Sequence, residues 1–344
     1  MYQLFFFSLL GLGILLLEIN LALAIIFIVL GCLSFTSNWI NAMSTSHPKQ
    51  EAIHFYADGL KIAGHFTPAV GAKPGSLSPT VVCIHGYTGR KEIYMPGYIR
   101  ELTAAGFNAL EFYHRGYGDS EGVKLRCKPW DQVTDIHSAV IYLRQRSDVD
   151  PDRIGLYGTS YGGGTGMVAT ALDETIRCAV AVGSFADGLR NSYNLRTYSD
   201  RLDWEEVKKI DRVERVMTGK SRRIPYGELA PSGRAERDSI STMYKVDEKY
   251  PEGYPIENSD HAAGFSPEKY VDRISPRPVL FLHTEKDTMV AVSESKHFYE
   301  KAKEPKKLII IPKANHVDVY EPRNPEVFKV VVGHMIDFFN LHLK

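Results

Sequence analysis

One passage constrains this chain more than any other. An apolar run from Ile154 to Tyr157 passes through Gly158-Thr159-Ser160-Tyr161-Gly162 into a stretch of helix-forming composition that ends near Leu172. A strand that becomes a helix within so few residues must turn sharply, and small residues must flank the serine because two backbones approach closely there. Such a turn belongs at the C-terminal edge of a parallel sheet, where ligands and reactive groups collect. In a chain with 28 glycines the bare pentapeptide is a weak signal. Its place between a strand and a helix gives it weight.

The surrounding sequence supplies the rest of such a sheet. Ala52 to Tyr56 and Leu60 to Phe66 are short β-rich runs joined by Ala57-Asp58-Gly59, and Asp-Gly is the preferred two-residue hairpin turn. After a Gly/Pro/Ser-rich loop over Ala72 to Pro79, Val81 to Ile84 reads as a central strand covered on both faces. Met95, Tyr98, Ile99, Leu102 and Ala105 recur at helical spacing, and Gly106 stops that helix. Asn108 to Tyr113 is the next strand, and Pro129 opens a helix with Trp130, Val133, Ile136, Val140 and Leu143 on its apolar face. Arg153 to Tyr157 and Ile176 to Val182 are strands on either side of the Tyr161 to Leu172 helix. The rhythm lapses from Ala186 to Ser275. It returns with strands at Pro278 to His283 and Lys307 to Ile311, a helix over Ser293 to Ala302, and a closing helix that Asn324-Pro325 starts and that runs through Phe339. This alternation predicts an α/β fold: a mostly parallel central sheet with helices on both faces and an inserted lid at about 186–275.

Charge and cysteine content narrow the function. The 41 basic and 41 acidic side chains leave no net charge, which disfavours nucleic acid or an anionic surface as the partner. Cys32, Cys83, Cys127 and Cys178 are too scattered for a disulfide framework or a metal site. Cys83 and Cys178 sit in apolar runs and read as buried core residues.

A serine on such a turn is a candidate nucleophile, and it needs a base and an acid that orients the base. In elbows of this kind the partners follow in the order serine, acid, histidine. The loop after the strand ending at His283 offers Glu285 and Asp287, of which Asp287 is preferred, with Asp318 a third choice. The loop after Ile311 offers His316. His283 lies within a strand, His297 and His334 on helices, and His261 in the insertion, so His316 is the base expected here. A tetrahedral intermediate needs two donors for its oxyanion. Those expected are the backbone N–H of Tyr161 and that of Tyr87 in His85-Gly86-Tyr87-Thr88-Gly89, with the Tyr87 phenol as an alternative. His85 is then a structural residue of its turn, and Arg115 in His114-Arg115-Gly116-Tyr117-Gly118-Asp119-Ser120 ties loops together. Asp119 is a weak candidate for the acid. Tyr193, Tyr198 and Trp204 read as core of the insertion more than as substrate contacts.

These motifs, with Asn315-His316-Val317-Asp318-Val319-Tyr320, resemble the α/β-hydrolase superfamily over His85–Asp187 and Pro278–Tyr320. Within it they are similar to dienelactone-hydrolase-like and Xaa-Pro-dipeptidyl-peptidase-like serine hydrolases, nearest to the group of fungal polyketide transferases and their bacterial relatives. The resemblance implies Ser160 as nucleophile, Asp287 as acid and His316 as base. His114 departs from the group, which commonly carries another residue before the Arg-Gly pair. The expected activity is hydrolysis of a carboxylic ester or thioester with a small-molecule acyl substrate, and neither metal nor organic cofactor is needed. Acyl transfer from the same acyl-enzyme is the alternative, and a non-catalytic binding protein on the same fold is a second.

The N-terminus is unlike the rest. Phe5 to Phe35 is almost continuously apolar, interrupted mainly by Glu18 and Asn20, and is long enough to cross a bilayer. It exceeds the apolar core of a signal peptide, and no Lys or Arg precedes it. The expectation is a membrane tether within residues 1–42 and a cytosol-facing catalytic domain over 43–344. A cytoplasmic protein that starts at Met43 is the alternative.

Overall fold

The computed structural model describes residues 50–344, apart from 74 and 244. The apolar run from Phe5 to Phe35, and the tether expected from it, lie outside the described residues. Among the described residues no helix is long and apolar enough to cross a membrane.

Among the described residues, eight strands form one sheet: β1 (Glu51–Ala57), β2 (Leu60–Thr67), β3 (Ser78–Ile84), β4 (Asn108–Phe112), β5 (Val149–Thr159), β6 (Ile176–Val182), β7 (Val279–Thr284) and β8 (Lys306–Ile311). Their spatial order is β1-β2-β4-β3-β5-β6-β7-β8. β2 runs antiparallel to both neighbours, and every other pairing is parallel. The sequence pattern explains the layout. β3, β4 and β7 are buried at every position, as strands covered on both faces must be, whereas edge strand β1 alternates exposed and buried. Asp58 and Gly59 both take positive φ, 49° and 79°, the backbone that the Asp-Gly turn requires.

Two groups of helices cover the sheet. Pro96–Ala104 packs with Pro325–Leu343, and Pro129–Arg144 packs with Tyr161–Leu172. Each of the three that starts with proline has it at the first turn, where no intrahelical partner for its N–H is lost. Asn324 caps the last helix by accepting from the Val327 N–H at 3.2 Å. That helix continues to Leu343, four residues past the expected end, because Leu343 is buried against the core. Trp130 is 45% exposed, so it does not extend the buried stripe of Val133, Ile136, Val140 and Leu143; its ring packs edge-on to Phe265 and Tyr270.

Registers align the C-terminal strand ends. Ile84 pairs with Gly158, Thr159 with Val182, Val182 with Leu282, and Thr284 with Ile311. The loops leaving these ends carry Tyr87, Ser160, Asp287 and His316, so four segments distant in sequence converge on one edge. Residues 186–275 leave from the same edge after β6. They include helices Gly188–Asn194, Tyr198–Thr218 and Glu257–Ala263 and a short ladder of Arg223–Ile224 with Tyr254–Pro255. Tyr193 and Tyr198 are not core residues of this segment, being 38% and 74% exposed on its outer surface. Trp204 is half-buried and donates its indole N–H to Ser259 Oγ at 3.1 Å.

Candidate active site

Ser160 sits at the end of β5 with φ 53° and ψ −121°, a backbone region that L-residues enter at a cost of about 1–3 kcal/mol. Its N–H donates to Val182 O at 2.7 Å and so holds the turn onto the neighbouring strand. The glycines around it are required by space. A Cβ on Gly162 would lie 2.4 Å from His85 O and 2.7 Å from Ile84 O, and one on Gly158 would lie 2.4 Å from Gly162 O. Gly86 faces the serine directly, its ideal Cβ position being 3.2 Å from Ser160 Cβ.

A hydrogen-bonded chain leads inward from Ser160. Its Oγ donates to His316 Nε2 at 3.1 Å, and His316 Nδ1–H donates to Asp287 Oδ2 at 2.6 Å. The other Asp287 oxygen accepts from the N–H groups of Met289 and Val290 at 2.9 and 2.7 Å. Burial alone would raise the Asp287 carboxyl, but the adjacent imidazoles of His316 and His283 outweigh it and hold the group well below the usual carboxylate range. For His316, burial favours the neutral ring, whereas Asp287 and then Glu236 favour the cation; the net shift is upward. An ionised acid behind a readily protonated imidazole is what a general base on Ser160 requires.

The competing candidates point elsewhere. Glu285 accepts from the Lys313 N–H at 2.8 Å, Asp318 accepts from the Asn315 N–H at 2.9 Å, and Asp119 is exposed. His283 is fully buried, with Nε2 2.9 Å from Val290 O and 3.3 Å from Asp287 Oδ2, so it buttresses the acid and does not reach the serine. His85 Nδ1–H donates to Gly86 O at 2.7 Å, and burial lowers its pKa to about 3, which keeps the ring neutral. Arg115 bridges the hairpin turn at Asp58 (3.0 Å) and the buried Asp135 (2.7 and 2.8 Å), so it does tie loops together. His114 Nδ1 lies 3.2 Å from Asp135 Oδ2, which accounts for the unusual residue before the Arg-Gly pair as part of this buried cluster. Cys83, Cys127 and Cys178 are buried, and burial pushes their thiols up, Cys127 to about 12. Among the described residues no acidic, histidine or cysteine cluster could hold a metal ion.

Glu236 carries no sequence signature of its own. It lies in a short helix, Arg234–Asp238, is 1% exposed, and its Oε1 accepts from the N–H groups of His316 (3.1 Å) and Thr288 (3.3 Å). One carboxylate thus joins the loops that carry His316 and Asp287. No local motif marks it, since its partners lie 52 and 80 residues away.

Ser160 opens into a cleft of about 720 Å³, its mouth included. Tyr87, Tyr161, Phe185, Met289 and Val290 line it from the sheet side, and Leu195, Leu229 and Ala262 from the 186–275 segment. The Tyr87 ring packs against Tyr161 and Tyr254, and its hydroxyl accepts from Asn258 Nδ2 at 2.8 Å. The phenol is thereby tied to the overlying segment.

The family described as alpha/beta hydrolase fold matches residues 79–322. The chain is 27% identical to the uncharacterized protein YfhR of Escherichia coli strain K12 over 291 residues, 84% of this chain and 80% of that one. It is 36% identical to thiohydrolase aneE of Aspergillus aculeatus over 126 residues, 36% of this chain and 38% of that one. The alpha/beta hydrolase GrgF of Penicillium sp. sh18 superimposes with a TM-score of 0.69 at 21% identity, over 86% of this chain and 99% of that one.

Proposed function

The chain belongs to the alpha/beta hydrolase fold family, and on that premise we propose that it is a serine hydrolase cleaving a carboxylic ester or thioester through an acyl-enzyme on Ser160. The observation that carries this reading is the unbroken chain Ser160–His316–Asp287, with its 3.1 and 2.6 Å links, on a serine held at positive φ. His316 takes the Ser160 proton as Oγ attacks the carbonyl carbon, and Asp287 holds the Nδ1–H tautomer and stabilises the imidazolium. The oxyanion faces the N–H groups of Tyr87 and Tyr161. His316 then returns the proton to the departing alcohol or thiol, and water repeats the sequence to release the acid. The apolar cleft wall suits an acyl chain, and the similarity to a fungal thiohydrolase supports including thioesters. Residues 186–275 act as a lid that supplies much of the acyl pocket. Deleting them should alter the acyl-length preference; an unchanged preference would remove that role.

The decisive experiment is labelling with a fluorophosphonate followed by peptide mapping, together with turnover of an ester panel. Modification at Ser160 and its loss in Ser160→Ala are expected. Labelling that persists in Ser160→Ala, or ester turnover above a tenth of the parent protein's, would end the assignment.

A further inference from the structure

Among the described residues, Arg196 is the one charged residue lining the cleft that contains Ser160. It follows the Gly188–Asn194 helix and is only 9% exposed. Buried arginines are normally paired with a carboxylate, because removing an unpaired cation from water is costly. Arg196 has no such partner: among the described residues no carboxylate lies within ion-pair distance of it. The nearby acids are engaged elsewhere. Asp200 accepts from the Thr197 hydroxyl at 2.7 Å, and Glu205 pairs with Lys208 at 2.6 Å. The protein holds the guanidinium by its plane and one nitrogen. Its face lies 4.5 Å from the Trp204 ring centre, and Nη2 donates to Leu229 O at 2.7 Å and Glu228 O at 3.3 Å. Nε and Nη1 have no acceptor among the described residues. Burial lowers the Arg196 pKa to about 10, which still leaves it cationic at neutral pH.

A second polar group in the same lining lacks a partner. Asn191 lies on the helix that Arg196 follows, and its buried side-chain oxygen has no hydrogen-bond partner among the described residues. Rotating that amide would present an N–H₂ donor instead. Around these two groups the wall is apolar, with Leu195, Leu229 and Ala262 from the same segment.

We infer that Arg196, assisted by Asn191, receives an anionic oxygen group of the substrate, a carboxylate or a phosphate remote from the scissile carbonyl. The inference rests on the hydrolase reading above and adds a substrate class to it: an ester or thioester that carries an anionic oxygen group, on its acyl end or on its leaving group. A guanidinium with free N–H groups beside an apolar wall favours such a group over a neutral one by both charge and geometry. The anion would replace the ion-pair partner that the fold does not provide.

Matched substrates test this. One arm uses p-nitrophenyl monoesters of straight-chain dicarboxylic acids of increasing length against the corresponding terminal carboxamides. The other uses acyl-phosphopantetheine against acyl-pantetheine thioesters, so that an anion on the acyl end is told from one on the leaving group. In the unmodified protein, kcat/KM is expected to favour the anionic member by roughly ten- to a hundred-fold at the best length in one arm. Arg196→Met should bring that ratio close to one, and Arg196→Lys should restore part of it. Equal or faster turnover of the neutral member at every length in both arms overturns the inference and needs no variant. So does an unchanged ratio in Arg196→Met whose thermal midpoint shows it folded. Failure to hydrolyse any member, together with no fluorophosphonate labelling of Ser160, removes the hydrolase reading itself and is distinguishable from both.

Discussion

Asp287 Oδ2 stands 2.6 Å from His316 Nδ1, while the other carboxylate oxygen is held by two backbone N–H groups. The acid is therefore fixed in position and has one oxygen left for the imidazole. Replacing it by asparagine keeps the shape but can present an N–H₂ to Nδ1, which favours the wrong tautomer of His316. Asp287→Asn should lower kcat by about 10⁴ with little change in fold. Steady-state kinetics beside circular dichroism will show this; a loss smaller than tenfold would argue that His316 is not oriented by this residue.

The positive φ of Ser160 makes a separate prediction about stability. Glycine adopts this backbone without steric cost, whereas alanine does not. Ser160→Ala and Ser160→Gly should both lose turnover, but the glycine variant should be more stable than the alanine variant by about 1 kcal/mol. Thermal melts of the two proteins read the difference, and an equal or lower midpoint for Ser160→Gly contradicts strain at this turn.

The pH dependence follows from the environment of His316. Burial opposes its protonation, but Asp287 and Glu236 raise its pKa above the ordinary histidine value of about 6.5. With the neutral ring as the proposed base, the acid limb of kcat/KM should have its midpoint above about pH 6.5. Glu236→Gln keeps an oxygen for the His316 and Thr288 N–H groups but removes the negative charge, so the limb should move to lower pH. Glu236→Ala removes the acceptor as well and should also reduce kcat. The same shift affects stability: the stabilisation from protonated His316 is fully present below about pH 6.5 and is lost as pH rises through the folded-state value. A limb that does not move in Glu236→Gln would deny that carboxylate an electrostatic role.

Backbone contact at the turn can be tested with two glycines. Gly162→Ala would place a Cβ 2.4 Å from His85 O, a backbone atom that can retreat only if β3 moves away from the serine turn. Gly227→Ala meets nothing within 4 Å among the described residues. The first should cost about 2 kcal/mol or more and most of the activity, and the second should be near neutral. Similar melting temperatures for the two would show that the close approach is relieved without displacement.

Much of the architecture was legible because it is encoded locally. The Asp58-Gly59 hairpin, the buried runs of β3 and β6 and the proline-started helices each follow from a few neighbouring residues. The converging loops could be inferred from strand ends alone, which made Ser160 and His316 candidates that the fold then brings within 3.1 Å of each other. Element ends were less legible. Whether the last helix stops at Phe339 or Leu343 depends on whether Leu343 finds a core to pack into, and Trp130 could not be known to lie at the surface. The 186–275 segment was least readable: its polar, aromatic sequence gave no sign that Tyr193 and Tyr198 face outward while Arg196 is enclosed.

The sheet-and-helix alternation, the tight serine turn and the histidine after the last strand are encoded in short stretches of sequence, because tight turns and covered strands demand particular residues at fixed short spacings. The sequence preferred Asp287 over Glu285 as the acid, and the tertiary structure supplies the physical reason that Asp287 is the one facing His316. Glu285 and Asp287 lie in the same loop, but Asp287 is turned inward by the Met289 and Val290 N–H groups, whereas Glu285 is drawn outward to the Lys313 N–H. Tertiary structure alone decided that Glu236 would join two loops and that Arg196 would be buried with no carboxylate partner among the described residues. Those outcomes depend on contacts between distant segments and on the direction each side chain takes once the chain is packed, and short-range periodicity carries neither.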